Sequence, residues 1–231
     1  LLPWVDRMYY RQFGDIDRLH KVFPALCAYA KWWRLNRTWP DGTYWSSGWG
    51  TGMDNMPRVK PEYNPIFSHG HMVWLDTNLQ QMLVDESLLN IGFYIERWQE
   101  IEDMEDEMKR LRAYVNEHLW DERTAFLYDR YGDGTLCTTK GIGAFWALQA
   151  DALDRERLDR MVAHLSDTTE FDRPHRVPSL SADHPKYNPL GRYWQGGVWP
   201  GTDYMTIDGL YRKGYHDLAR EIAANHYAAV L

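Results

Sequence analysis

Apolar side chains recur at helical spacing in about seven or eight segments of this chain, and between pairs of segments run long stretches rich in Gly, Pro and Trp. The clearest is 14–33, where Ile16, Leu19, Val22, Phe23, Leu26, Cys27, Ala30 and Trp33 form the stripe of a helix buried on one face. Pro24 lies inside it and predicts a kink or a later start, because proline lacks an amide hydrogen and crowds the preceding turn. A short helix over 1–12 precedes it. A second long helix is expected over 72–91, with Leu75, Leu79, Met82, Leu83 and Leu89 on one side and a stop at Gly92. A third is expected over 98–119, where Ile101, Met104, Met108, Leu111, Val115 and Leu119 keep the period. The charged run from Glu102 to Arg112 reads as its solvated face. Helices are also expected over 140–152, 153–165, 200–213 and 215–230, the last two parted by Lys213-Gly214. Phe126-Leu127-Tyr128, Gly132-Asp133-Gly134 and Thr135 to Thr138 read as a small β-hairpin near 124–138. The pattern predicts an all-α toroid of antiparallel pairs, with the loops gathered at one end.

Twelve Trp and fifteen Tyr exceed what a core of this size requires, and several lie in the Gly/Pro-rich loops. A net charge of −7 with no basic patch argues against a nucleic-acid partner. No apolar run reaches membrane-spanning length, so no membrane partner is expected. Cys27 and Cys137 are too few and too far apart for a disulfide framework. They read as reduced core residues, compatible with a cytoplasmic setting. The chain opens at Leu1 without an initiator Met and closes in Ala228-Ala229-Val230-Leu231 inside an apparent helix. These features suggest a piece of a longer protein, a single partial domain over 1–231 truncated at both ends. Oligomeric state is not legible.

Ser46 to Arg58 organises the chemistry. Its glycines and serines form a shaped loop, outside helix or strand, that holds Asp54 beside Asn55 and Arg58, with Trp45 and Trp49 close by. An acid among aromatic rings suits sugar cleavage, since aromatic faces stack on pyranose rings and the acid protonates the leaving oxygen. A surface turn in which Asp54 caps the next segment explains the same residues. Arg192 to Pro200 is a second aromatic and glycine-rich cluster, closing the long irregular stretch 166–198. His69 and His71 lack the third and fourth ligands of a metal site, so no metal or other cofactor is expected. Asp76 and Asn78 read as capping or loop-tethering groups, and Arg58 as orienting Asp54 or pairing with Glu62. Motifs for acyl transfer, nucleotide binding and thiol redox are missing.

Trp49-x-x-Gly52-Met53-Asp54-Asn55-x-Pro57-Arg58 resembles the acid motif of glycoside hydrolase family 63 and its mannosylglycerate hydrolase-like relatives. Val177 to Ser181, Tyr187 and Tyr193-Trp194-x-Gly196-x-Val198-Trp199-Pro200 are similar to the family's later signature. Leu119 to Glu122 and Lys140 to Leu148 agree with the linking pieces. The resemblance implies an (α/α)6 barrel, here with seven or eight of twelve helices, and inverting hydrolysis of an α-linked glucosyl or mannosyl sugar or oligosaccharide. It implies Asp54 as general acid and Trp49, Tyr193, Trp194, Gly196 and Trp199 as pocket residues. Gln195 stands where relatives often carry another polar or basic residue. The family's base is a Glu after the helix that follows the Tyr-Trp cluster, so it is expected beyond Leu231, and the chain alone is expected to be inactive. A non-catalytic sugar-binding protein or a decayed glycosidase fragment is the alternative.

Overall fold

The computed structural model describes residues 1–230, and Leu231, where the closing helix was expected to continue, lies outside them. Helix α1 is Leu2–Phe13 and α2 is Ile16–Asn36, entered through Asp15, whose carboxylate accepts the Arg18 amide. Pro24 neither delays nor ends α2. It lies on the exposed face, while Leu19, Phe23, Leu26, Cys27 and Ala30 are buried. Helix α3, Gly48–Thr51, is a single turn within the acid segment, where loop alone was expected. Ser47 accounts for it by accepting the Gly50 amide and satisfying a free donor at the helix start.

Helix α4, Leu75–Tyr94, is buried nearly all round, and it is the spine of the molecule. It passes through Gly92 and does not stop there. A Cβ on Gly92 would lie 2.4 Å from the Ile101 side chain and 2.8 Å from Arg97 O, so this glycine serves close packing. Helix α5, Met104–Tyr114, starts later than expected and continues into a π turn, Val115–Leu119. Its charged run faces solvent except at Glu107, which is buried and accepts the Tyr44 hydroxyl at 2.6 Å. A 3-10 segment, Ile142–Trp146, runs into α6, Ala147–Ala150, and all nine residues are buried. Helix α7, Arg155–Val162, ends in a 3-10 turn; α8, Pro200–Arg212, and α9, His216–Val230, follow the long loop.

Helices α1, α4, α6 and α8 touch in succession as an inner row, with α2, α5 and α9 packed on it. This is an incomplete toroid of paired helices. The helices at the two ends of the row expose apolar side chains, Leu2, Val5, Tyr9 and Phe13 on α1 and Tyr204 and Tyr211 on α8. One core lies beneath the loops, and a second between α2, α4 and the start of α5.

Strand is sparse, and the expected hairpin is divided. Its tip is in place, with Tyr131 N donating to Thr135 O and Gly134 at φ 88°. Its arms pair through an antiparallel Arg130–Leu136 bridge and through Cys137 N donating to Asp129 O, but Phe126–Leu127 lies outside that pairing. Strand β1, Met72–Val73, pairs with β4, Arg130–Tyr131, and β2, Trp120–Asp121, pairs with β3, Phe126–Leu127. The β1–β4 pairing ties the segment before α4 to the 120–141 loop. The 167–199 loop joins them, with Ile142 N donating to Ser179 O and Ser181 N to Lys140 O. The three long loops therefore meet at one end of the helices.

Candidate active site

The acid segment is shaped by glycine where space demands it. A Cβ on Gly48 would lie 2.3 Å from Pro65 O and 3.1 Å from Asp54 Cα. Gly52 takes φ 74°, the left-handed turn that ends α3 and aims the chain into Met53 and Asp54. Met53 and Met56 are buried, and Asp54 between them is half-buried.

Arg58 fastens the far end. It contacts neither Asp54 nor Glu62, contrary to expectation, because two buried carboxylates claim its guanidinium. Nη1 and Nη2 donate to Asp76 at 2.7 and 3.0 Å, and Nε donates to Asp129 at 2.8 Å. The guanidinium lies 4.3 Å from the centre of the Trp74 ring. Burial works against the charge on Arg58, but Asp129 and Asp76 outweigh it and hold the group above its ordinary range. Burial pushes the Asp129 carboxyl up, and Arg58 draws it part of the way back. Asp129 also accepts the Leu75 amide at the start of α4, and Asp76 accepts the Thr77 amide. Asn78 tethers the loop as expected, through Tyr44 N at 2.9 Å and Tyr44 O at 3.0 Å.

The second cluster folds onto the first. The Tyr193 hydroxyl donates to Asp54 Oδ2 at 3.0 Å, and Trp194 N donates to Asn55 Oδ1 at 2.8 Å. The Trp194 and Trp199 rings stack at 4.5 Å and 9°, and Tyr193 meets Trp199 edge-on at 5.2 Å. Trp194 is buried in the main core, and Trp199 is half-buried. Gln195 donates to Asn55 O at 3.1 Å, so its amide joins the two loops. Gly196 takes φ 139°, where a Cβ would lie 2.3 Å from Asn188 O, and its N donates to Ser179 Oγ. Trp49 stands apart: it is 71% exposed and pairs with Phe67, itself 71% exposed, at 6.2 Å.

His69 and His71 join Trp39, Trp45 and Tyr63 in an aromatic group, with the two imidazoles 4.6 Å apart. No cluster of three or more His, Cys, Asp or Glu suited to a metal ion occurs among the described residues. No helix among them is long and apolar enough to cross a membrane. Asp129 escaped sequence reasoning because it lies 71 residues from its partner Arg58 and has no local pattern. Asn55 was visible beside the acid, but its partners were not.

Residues 3–231 match the mannosylglycerate hydrolase MGH1-like glycoside hydrolase domain. The chain belongs to this family. A Borreliella burgdorferi protein of uncharacterised function is 24% identical over the whole chain, which covers 47% of that protein. A mannosylglycerate hydrolase from Rubrobacter radiotolerans is 33% identical over 108 residues, 46% of this chain and 24% of the relative. The family 63 mannosylglycerate hydrolase of Thermus thermophilus, solved with glucose, superposes with a TM-score of 0.84 at 22% identity. That superposition covers 98% of this chain and 66% of the Thermus chain, and establishes the (α/α) toroid fold. The chain thus spans about half the length of the Borreliella relative and two-thirds of the Thermus enzyme.

Proposed function

We propose that this chain is the acid-bearing part of the catalytic domain of an inverting α-glycosidase. Asp54 protonates the glycosidic oxygen of an α-linked glucosyl or mannosyl sugar. The observation that carries the reading is the hydrogen bond from the Tyr193 hydroxyl to Asp54 Oδ2, which joins two sugar-site motifs from positions 139 residues apart. Tyr193 and Trp199 supply aromatic surface beside the acid, with Trp194 as the buried backing of Trp199. Gly196 and Gln195 shape the turn that holds them, and Trp49 with Phe67 lies at the outer edge of the acid loop.

An inverting reaction also needs a base carboxylate about 6.5–9.5 Å from the acid, with water between. In this proposal the base is a Glu outside residues 1–231. The buried free thiols of Cys27 and Cys137 support a reducing, cytoplasmic setting. The name of the Rubrobacter relative makes mannosylglycerate the first compound to assay.

The test is Asp54→Asn in the full product of the gene. Turnover of the α-glycoside is expected to fall about 10²–10⁴-fold, the usual contribution of a general acid. Hydrolysis of the matching glycosyl fluoride, whose leaving group needs no proton, is expected to fall far less. Wild-type turnover of the α-glycoside in Asp54→Asn would remove the assignment. A first-formed product of retained configuration would remove the inverting mechanism.

A further inference from the structure

Arg192 and Tyr193 are consecutive residues with positive φ, 36° and 64°, and neither is glycine. The left-handed region crowds Cβ against the carbonyl oxygen, so side-chain-bearing residues stay there only where the surroundings over-determine them. The surroundings here come from the other motif. Asn55 Nδ2 donates to Arg192 O at 3.0 Å, and Asn55 Oδ1 accepts Trp194 N at 2.8 Å. One carboxamide thus brackets Tyr193 from both sides, using its donor and its acceptor together. Gln195 Nε2 adds a third link to the Asn55 carbonyl at 3.1 Å. The far side of the turn is closed by Gly197 N and Trp199 Nε1, which donate to Tyr193 O at 3.1 and 3.4 Å. A Cβ on Gly197 would sit 2.4 Å from that oxygen, so the turn closes this tightly only with glycine there.

We propose that Asn55 is a positioning residue of the site. Its carboxamide holds Arg192 and Tyr193 in left-handed backbone geometry, and that geometry carries the Tyr193 hydroxyl to Asp54. This rests on the reading of Asp54 as the acid. A shorter or apolar side chain at position 55 releases Arg192 O and Trp194 N together. The backbone then relaxes toward negative φ, and the Tyr193 hydroxyl swings away from the acid.

The experiment compares Asn55→Ala, Arg192→Gly, the double variant and Asp54→Asn in the full gene product, using α-glycoside and glycosyl fluoride as paired substrates. Asn55→Ala is expected to lower kcat on the α-glycoside by about 10²-fold, the cost of a misplacement near 1 Å, with a smaller loss on the fluoride. Arg192→Gly in the Asn55→Ala background is expected to recover part of that loss, since glycine takes positive φ without a clamp. A residue that is only structural, or that binds sugar directly, gives no such recovery. If Asn55→Ala does not fold, Asn55→Ser replaces it, being polar but too short to bracket Tyr193. Wild-type kcat in a folded Asn55 variant, or no recovery by Arg192→Gly, overturns the proposal while loss of activity in Asp54→Asn leaves the acid assignment standing. Unimpaired turnover in Asp54→Asn overturns the acid assignment, and this proposal with it.

Discussion

Replacing Arg58 with methionine keeps an unbranched side chain about as long as the arginine's aliphatic stem and removes the guanidinium charge from between two buried carboxylates. Arg58 is 6% exposed, Asp129 is also 6%, and Asp76 is fully enclosed. In Arg58→Met each carboxylate keeps a backbone donor, Thr77 N to Asp76 and Leu75 N to Asp129, both at 2.8 Å, but loses its counter-charge. Stranding a buried charge in this way costs about 3–5 kcal/mol. For a chain of this size, 1 kcal/mol shifts the melting temperature by about 2–4 °C, so a fall of roughly 6–20 °C is expected. The pH dependence has a definite sign. Burial already raises Asp129 above its unfolded value, and Arg58 opposes that rise. Without Arg58 the folded protein binds a proton there more readily than the unfolded chain, so acid favours the folded state. The deficit of Arg58→Met against the parent is therefore largest near neutral pH and shrinks towards pH 5. Replacing Asp76 and Asp129 by Asn in the same background is expected to restore much of the loss. Urea unfolding followed by tryptophan fluorescence measures each quantity. A loss below about 1 kcal/mol, the scale of a surface pair, or a deficit that grows in acid would refute the account.

Two other substitutions test the fold, beside those at Asp54 and Asn55. Asp203 on α8 is 1% exposed, burial pushes its carboxyl up to about 8, and His226 Nε2 lies 2.7 Å from it. The folded state keeps a proton that the unfolded chain releases, so this group costs stability progressively as pH rises from about 4 to 8, by at most about 1.4 kcal/mol per unit. Asp203→Asn should gain on the parent across that range in thermal melts; parallel profiles, or a loss of ground by the variant, would show Asp203 ionised against a charged His226. Gly92→Ala should destabilise by about 1–3 kcal/mol in urea titrations, because its Cβ falls 2.4 Å from Ile101. A stabilised variant, as helix propensity alone predicts, would mean that α4 and Ile101 can part without cost.

What could be read from the sequence is what nearest neighbours along the chain decide. Helical period repeats within four residues, so the stripes of α2 and α5 and the grouping of helices into pairs were legible before any contact was known, whereas α4, expected to be apolar on one side, is buried nearly all round. The chemistry of the acid loop was legible for the same reason, since Gly48 to Arg58 is one short stretch of glycine, acid and amide. Long-range packing decided the rest. Gly92 reads locally as a helix stop, yet packing against Ile101 makes it a helix interior. Glu107 reads as one of a solvated run, yet Tyr44 and Arg34 bury it. Arg58 could have met Glu62 nearby, but Asp129, 71 residues away, shares it with Asp76. Asn55 and Tyr193 carry no local sign of each other. Backbone hydrogen bonds and buried charges must find partners wherever the fold brings them, and periodicity along the chain holds no record of those meetings.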